Sequence, residues 1–175
     1  MSIAIQPFVF ALSLALSSAI AIAADPEINA ATHAAPAEHP MTVHASGTFD
    51  VKIMPLALAD NVADDVRGRM SINKQFHGDL EATSVGEMLT ATTATRGSMA
   101  YAAIERVSGK LNGRAGSFVL QHTGLMTRGA PSLMVTVVPD SGTGELLGLS
   151  GTLTITIADG KHAYDLAYSL PDAAP

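Results

Sequence analysis

Gly97 to Gly124, GSMAYAAIERVSGKLNGRAGSFVLQHTG, constrains the chain more than any other stretch. It reads as two β-strands joined by a tight, glycine-rich turn. The first, about Ser98–Val107, alternates: Met99, Tyr101, Ala103, Glu105 and Val107 share one face, and Ser98, Ala100, Ala102, Ile104 and Arg106 share the other. The second, about Ala115–Thr123, sets Phe118, Leu120 and His122 against Ser117, Val119 and Gln121. Between them, Ser108–Arg114 holds Asn112-Gly113, a pair in which both residues accept the positive φ of a hairpin turn. This hairpin concentrates hydrogen-bonding and titratable side chains, so a site is sought here first.

The remaining chain repeats that texture. Val43, Ala45, Gly47, Phe49, Val51 and Ile53 alternate with Thr42, His44, Ser46, Thr48, Asp50 and Lys52, a period-two strand. Pro55–Val66 reads as a loop with an acidic tip. Arg67–Phe76 and Leu80–Leu89 are the second and third strands, with His77-Gly78-Asp79 turning between them, and Thr90–Arg96 is a polar connection. Ser132–Val138, Leu149–Ala158 and His162–Leu170 are the last three, the final pair joined at Asp159-Gly160. Pro139–Gly148, PDSGTGELLG, is turn-rich, with room for one helical turn at Glu145-Leu146-Leu147. Eight strands with mostly short turns suit a closed antiparallel barrel or a sandwich. Strand length and the in-strand glycines Gly47, Gly86 and Gly151 favour the barrel, the expected fold being all-β. Such a barrel is just wide enough to be filled by side chains or to hold one small ligand.

Residues 1–24 carry no charged side chain and end in Ala21-Ile22-Ala23, which reads as a signal peptide cut after Ala23 or Ala24. The apolar run falls short of the roughly 20 residues that span a bilayer comfortably, so a retained anchor is the lesser reading. The expected location is therefore periplasmic or secreted, without stable membrane insertion after cleavage. Residues 25–40, rich in Ala and Pro, read as a disordered linker, residues 41–171 as the barrel domain and 172–175 as a tail. From Met41 onward thirteen acids face ten bases, a net charge near neutrality, and those bases are spread over the domain. Phosphate recognition needs clustered Lys and Arg, so a nucleic-acid partner is excluded. The absence of cysteine removes disulfide and thiolate chemistry.

Three segments, GRMSINKQFHGDLEATSVGEML (Gly68–Leu89), AYAAIERVSGKLNGRAGSFVLQHTG (Ala100–Gly124) and VVPDSGTGELLGLSG (Val137–Gly151), resemble the family called domain of unknown function 3224. The likeness runs from about Thr42 to Leu170 and leaves out the leader and linker. It implies a small eight-stranded barrel similar to that of allene oxide cyclase, a calycin-like architecture. It implies no activity, and a shared fold transfers no site residues.

The candidate residues come from the strands themselves. Glu105 and Glu81 are strand carboxylates. Turned into a barrel, either would lose solvation, and its raised pKa would suit general acid or base work. The plainer reading is a carboxylate paired with Arg69, Arg106 or Arg114, or facing solvent. Tyr101 shares a face with Glu105, as a proton relay or an ordinary buried hydrogen bond. His122 lies with Phe118 and Leu120, as a catalyst or a hydrogen-bonded core residue. Arg114, Gln121 and Phe118 complete the hypothetical ligand-binding set, with Glu105, Tyr101, Glu81 and His122 the hypothetical catalytic one. His33, His39, Met41 and His44 form the one local cluster of metal-binding type, without acids in register, and no metal or cofactor is assigned. The glycines of PDSGTGELLG lack the Lys and the strand–loop–helix context of a phosphate loop. Two function classes remain. One is a barrel that binds a small apolar or amphipathic molecule, with isomerase or cyclase chemistry as its catalytic version. The other is a non-catalytic structural or interaction protein, with a side-chain-filled barrel and outer faces that form a homo-oligomer. Small inward residues favour the first and large ones the second.

Overall fold

The computed structural model describes residues 41–58 and 66–171; the leader and linker expected at 1–40, the acidic tip and the tail lie outside them. Nine strands follow in order: β1 Val43–Leu56, β2 Arg67–Gly78, β3 Leu80–Thr92, β4 Met99–Leu111, β5 Arg114–Thr127, β6 Ala130–Val137, β7 Thr143–Gly144, β8 Ser150–Ala158 and β9 Lys161–Ser169. Eight of them close an antiparallel barrel. β1 to β6 pair in sequence, β6 meets β8, β8 pairs with β9, and β9 returns to β1. The two-residue β7 adds to the start of β5. Among the described residues no helix is long and apolar enough to cross a membrane.

Alternation decides what faces inward. In β4, Ala103, Glu105 and Val107 are buried while Ile104 and Arg106 are exposed. In β2, Ile72, Lys74 and Phe76 are buried between exposed Asn73 and Gln75. The strands outrun the sequence reading at several ends. β1 continues through Pro55, which stands opposite Met70, although this proline was expected to break the strand. A proline only lacks the N–H, and the ladder tolerates it near a strand end. The loop read over Ser108–Arg114 shrinks to Asn112-Gly113, with φ of 48° and 81°, and Leu111 stands opposite Arg114. The turn chemistry was correct and the strands flanking it are simply longer. β6 likewise starts two residues early, at Ala130.

The two ends of the barrel differ. At one end Leu80, Leu111, Phe118, Leu146, Leu149 and Leu166 are fully buried. Burial of such side chains contributes about 1.5–3 kcal/mol each. The segment after β6 tucks Leu146 and Leu149 into this end; Glu145 N–H bonds to the Ala115 carbonyl at 2.9 Å. Two tyrosines of β9 tie the turns here. The Tyr164 hydroxyl accepts from the Leu80 N–H at 2.8 Å, and the Tyr168 hydroxyl accepts from the Asn112 amide at 2.9 Å. The opposite end, where β1, β3, β5 and β8 finish, is open.

Candidate functional site

From the open end a cavity of about 370 Å3 runs into the barrel. Its walls are apolar: Val51, Ile72, Met88, Met126, Leu133 and Ile155 come from six different strands. Polar groups are few, with Lys74, Tyr101, Thr90, Ser132, His122 and His162 reaching it. This is the general form of a small-molecule site, concave, mostly apolar, and about 300–1,000 Å3 in size.

At the inner limit of the cavity Glu105 is fully buried, and each of its oxygens has partners. The Ser84 hydroxyl donates to Oε1. Lys74 Nζ donates to Oε2 at 2.7 Å, and His122 Nε2 lies 2.8 Å from the same oxygen. That last contact is within hydrogen-bond distance, but the ring N–H is not aligned with the carboxylate and Nε2 has no well-directed partner. It is a close polar contact rather than an aligned hydrogen bond. The Lys74 ammonium also lies over the rings of Phe49 at 5.0 Å and Phe76 at 5.6 Å, a cation–π arrangement.

The backbone makes room for this cluster. Gly86 stands opposite Glu105 in the ladder, and a Cβ there would fall 2.8 Å from the Glu105 Cα. Gly124 stands opposite Tyr101, whose ring occupies the space a side chain would need.

Burial alone would raise the Glu105 carboxyl above its ordinary range. The His122 contact, the Lys74 ammonium and the Ser84 hydroxyl outweigh burial and lower it to about 2. The raised pKa expected for an inward carboxylate is thus reversed by its neighbours. Glu105 remains an anion across ordinary pH and is not a proton donor there. Burial, followed by the charge of Glu105, raises the Tyr101 phenol, so Tyr101 stays a neutral hydroxyl. The cluster can hold charge in place and offer hydrogen-bond donors to an oxygen.

Of the residues singled out from the sequence, the barrel brings Glu105 and His122 into contact and sets Tyr101 on the cavity wall, but no hydrogen bond joins Tyr101 to Glu105 as a relay or a buried pair would need. Phe118 is buried below them in the closed half of the core. Glu81, Arg114 and Gln121 are exposed, and none of the three lines the cavity. Alternation explains two of these, since Glu81 follows the buried Leu80 and Gln121 lies between buried Leu120 and His122. Arg114 opens β5 at the closed end, too far along the barrel to reach Glu105, and Lys74 supplies the cation instead. Lys74 and Ser84 were missed. The signal for Lys74 was in the sequence: a lone cation on the apolar face Ile72, Lys74, Phe76.

The comparisons with known proteins agree with this architecture. The family model described as "Protein of unknown function (DUF3224)" matches residues 45–168. A crystal structure of a DUF3224-family protein of unknown function from Shewanella oneidensis MR-1 is similar, at 49% identity and a TM-score of 0.71; the match covers 76% of this chain and 100% of that one. Among curated proteins none matches. On the family match and the solved relative together, the chain belongs to the DUF3224 family.

Proposed function

We propose that this protein is a cup for one small apolar or amphipathic molecule, held inside the barrel with its polar end toward Lys74, Tyr101 and His122. The observation that carries this reading is the open apolar cavity ending on a buried, hydrogen-bonded ion pair. A barrel serving only as a scaffold gains little stability from a lysine and a glutamate in its core. Replacing such a pair with apolar residues commonly leaves stability unchanged or raises it. Isomerase or cyclase chemistry would be the catalytic version of the same cup, with Tyr101 and His122 beside the polar end and Glu105 fixing the charge. Nile red, a neutral dye that brightens in apolar surroundings, tests the reading. One dye per chain should bind to the wild type. Ile72→Trp, which fills the cavity, should abolish binding while circular dichroism still shows a folded barrel. Equal binding by both would remove the cup.

A second reading, self-association, is favoured by the outer wall. Val85, Leu89, Ile104 and Met134 are more than half exposed on β3, β4 and β6, beside the Arg69–Glu87 ion pair. Sedimentation velocity would reveal an oligomer, and Ile104→Glu should return it to monomer. A wild type that stays monomeric at high concentration would sink this reading.

A further inference from the structure

The charges at the inner end of the cavity restrict what the polar end of a ligand can be. Lys74 is the one ammonium among the residues that line the cavity, and its charge is already matched by Glu105 at 2.7 Å. Both side chains are nearly sealed from water, at 6% and 0% exposure. Glu105 itself does not line the cavity, because its oxygens are turned to Ser84, Lys74 and His122. At that end the cavity therefore meets the Lys74 ammonium, a donor. An ammonium has three N–H groups and no acceptor, whereas the Tyr101 phenol, nearer the open end opposite Thr90 and Gly124, can give or accept a hydrogen bond.

A ligand group in contact with Lys74 must accordingly be an acceptor. A carboxylate meets that need but brings a second anion close to Glu105, in a place where charge is costly to desolvate and the nearest cation is already paired. A carbonyl oxygen accepts the same hydrogen bonds and adds no charge. Resting on the cup reading above, we infer that the ligand is a neutral carbonyl compound, a ketone or an ester with an apolar body, and that Glu105 is the residue that excludes fatty carboxylates.

Glu105→Gln keeps the size and an acceptor for Lys74 but removes the anion. Lys74 is then an unmatched cation at the end of an apolar cavity, and the preference should turn toward carboxylates.

Isothermal titration of the whole chain with methyl nonyl ketone, undecanoate and undecane tests this. The wild type should bind the ketone at least about tenfold more tightly than undecanoate, with undecane weaker than the ketone. Glu105→Gln, shown folded by circular dichroism, should bind undecanoate more tightly than the wild type does and reverse the order. Undecanoate binding to the wild type as tightly as the ketone would overturn the inference while leaving the cup intact. So would an unchanged ratio in a folded Glu105→Gln. Should that variant not fold, the wild-type ratio decides alone. Binding of none of the three probes would overturn the cup and this inference together.

Discussion

Lys74 and Glu105 sit on β2 and β4, with β3 between them, yet their charged atoms meet at 2.7 Å across the barrel interior. β3 contributes Ser84 to the same carboxylate, so the network links three neighbouring strands from within. His122 extends it to a fourth, β5. Breaking such a pair from one side leaves a buried charge without its partner, which costs about 3–5 kcal/mol. Lys74→Met and Glu105→Gln should each destabilise the barrel markedly, the glutamine less because its amide oxygen can still accept from Lys74. The double variant should cost less than the sum by at least about 1 kcal/mol. Urea denaturation of the four proteins measures this, and simple additivity would show that the two side chains do not act as a pair.

Acid should reveal the same network. The Glu105 carboxyl is lowered from 4.5 to about 2 in the folded chain. A group depressed in this way stabilises the fold fully above its unfolded pKa. That contribution, on the order of 3 kcal/mol, is lost as the pH falls from about 4.5 through about 2. The stability gap between wild type and Glu105→Gln should therefore stay constant from about pH 7 to about pH 5 and close below that. A gap that closed between those two higher values would mean that Glu105 takes up its proton near neutrality.

Gly124 and Tyr101 form a matched pair across β4 and β5. A Cβ on residue 124 would fall 2.0 Å from the Tyr101 Cε1, far inside contact distance. Gly124→Ala should destabilise by about 1–3 kcal/mol through overpacking. In a Tyr101→Ala background the same change should cost little. An equal cost in both backgrounds, measured by thermal or urea denaturation, would place the strain somewhere other than the ring.

Much of this was legible in the residues. Period-two alternation in GRMSINKQF and AYAAIERV predicts which side chains share a face, and Asn112-Gly113 predicts the hairpin. Glu105, Tyr101 and His122 were found because they fall in two strands joined by that turn. The pairing of Lys74 with Glu105 was not, because the two come from strands two places apart, and contact across a barrel depends on closure and stagger rather than on spacing in the chain. The face of Glu81, by contrast, was within reach of the sequence. One carboxylate faces in and the other out because the hydrophobic residues flanking them at two-residue steps differ, Val107 and Ala103 for Glu105 against Thr83 for Glu81. The direction of the Glu105 pKa also lay beyond the sequence, since burial and ion pairing act in opposite senses and only the named partners decide between them.

In the proposed cup the cavity, and not the outer wall, receives the ligand. Methyl-labelled protein titrated with methyl nonyl ketone tests it most directly by NMR. The methyl signals of Ile72, Met88, Leu133 and Ile155 should shift together and saturate at one ligand per chain, while those of Val85, Leu89 and Ile104 stay in place. Shifts confined to Val85, Leu89 and Ile104, or no shifts at all, would contradict it.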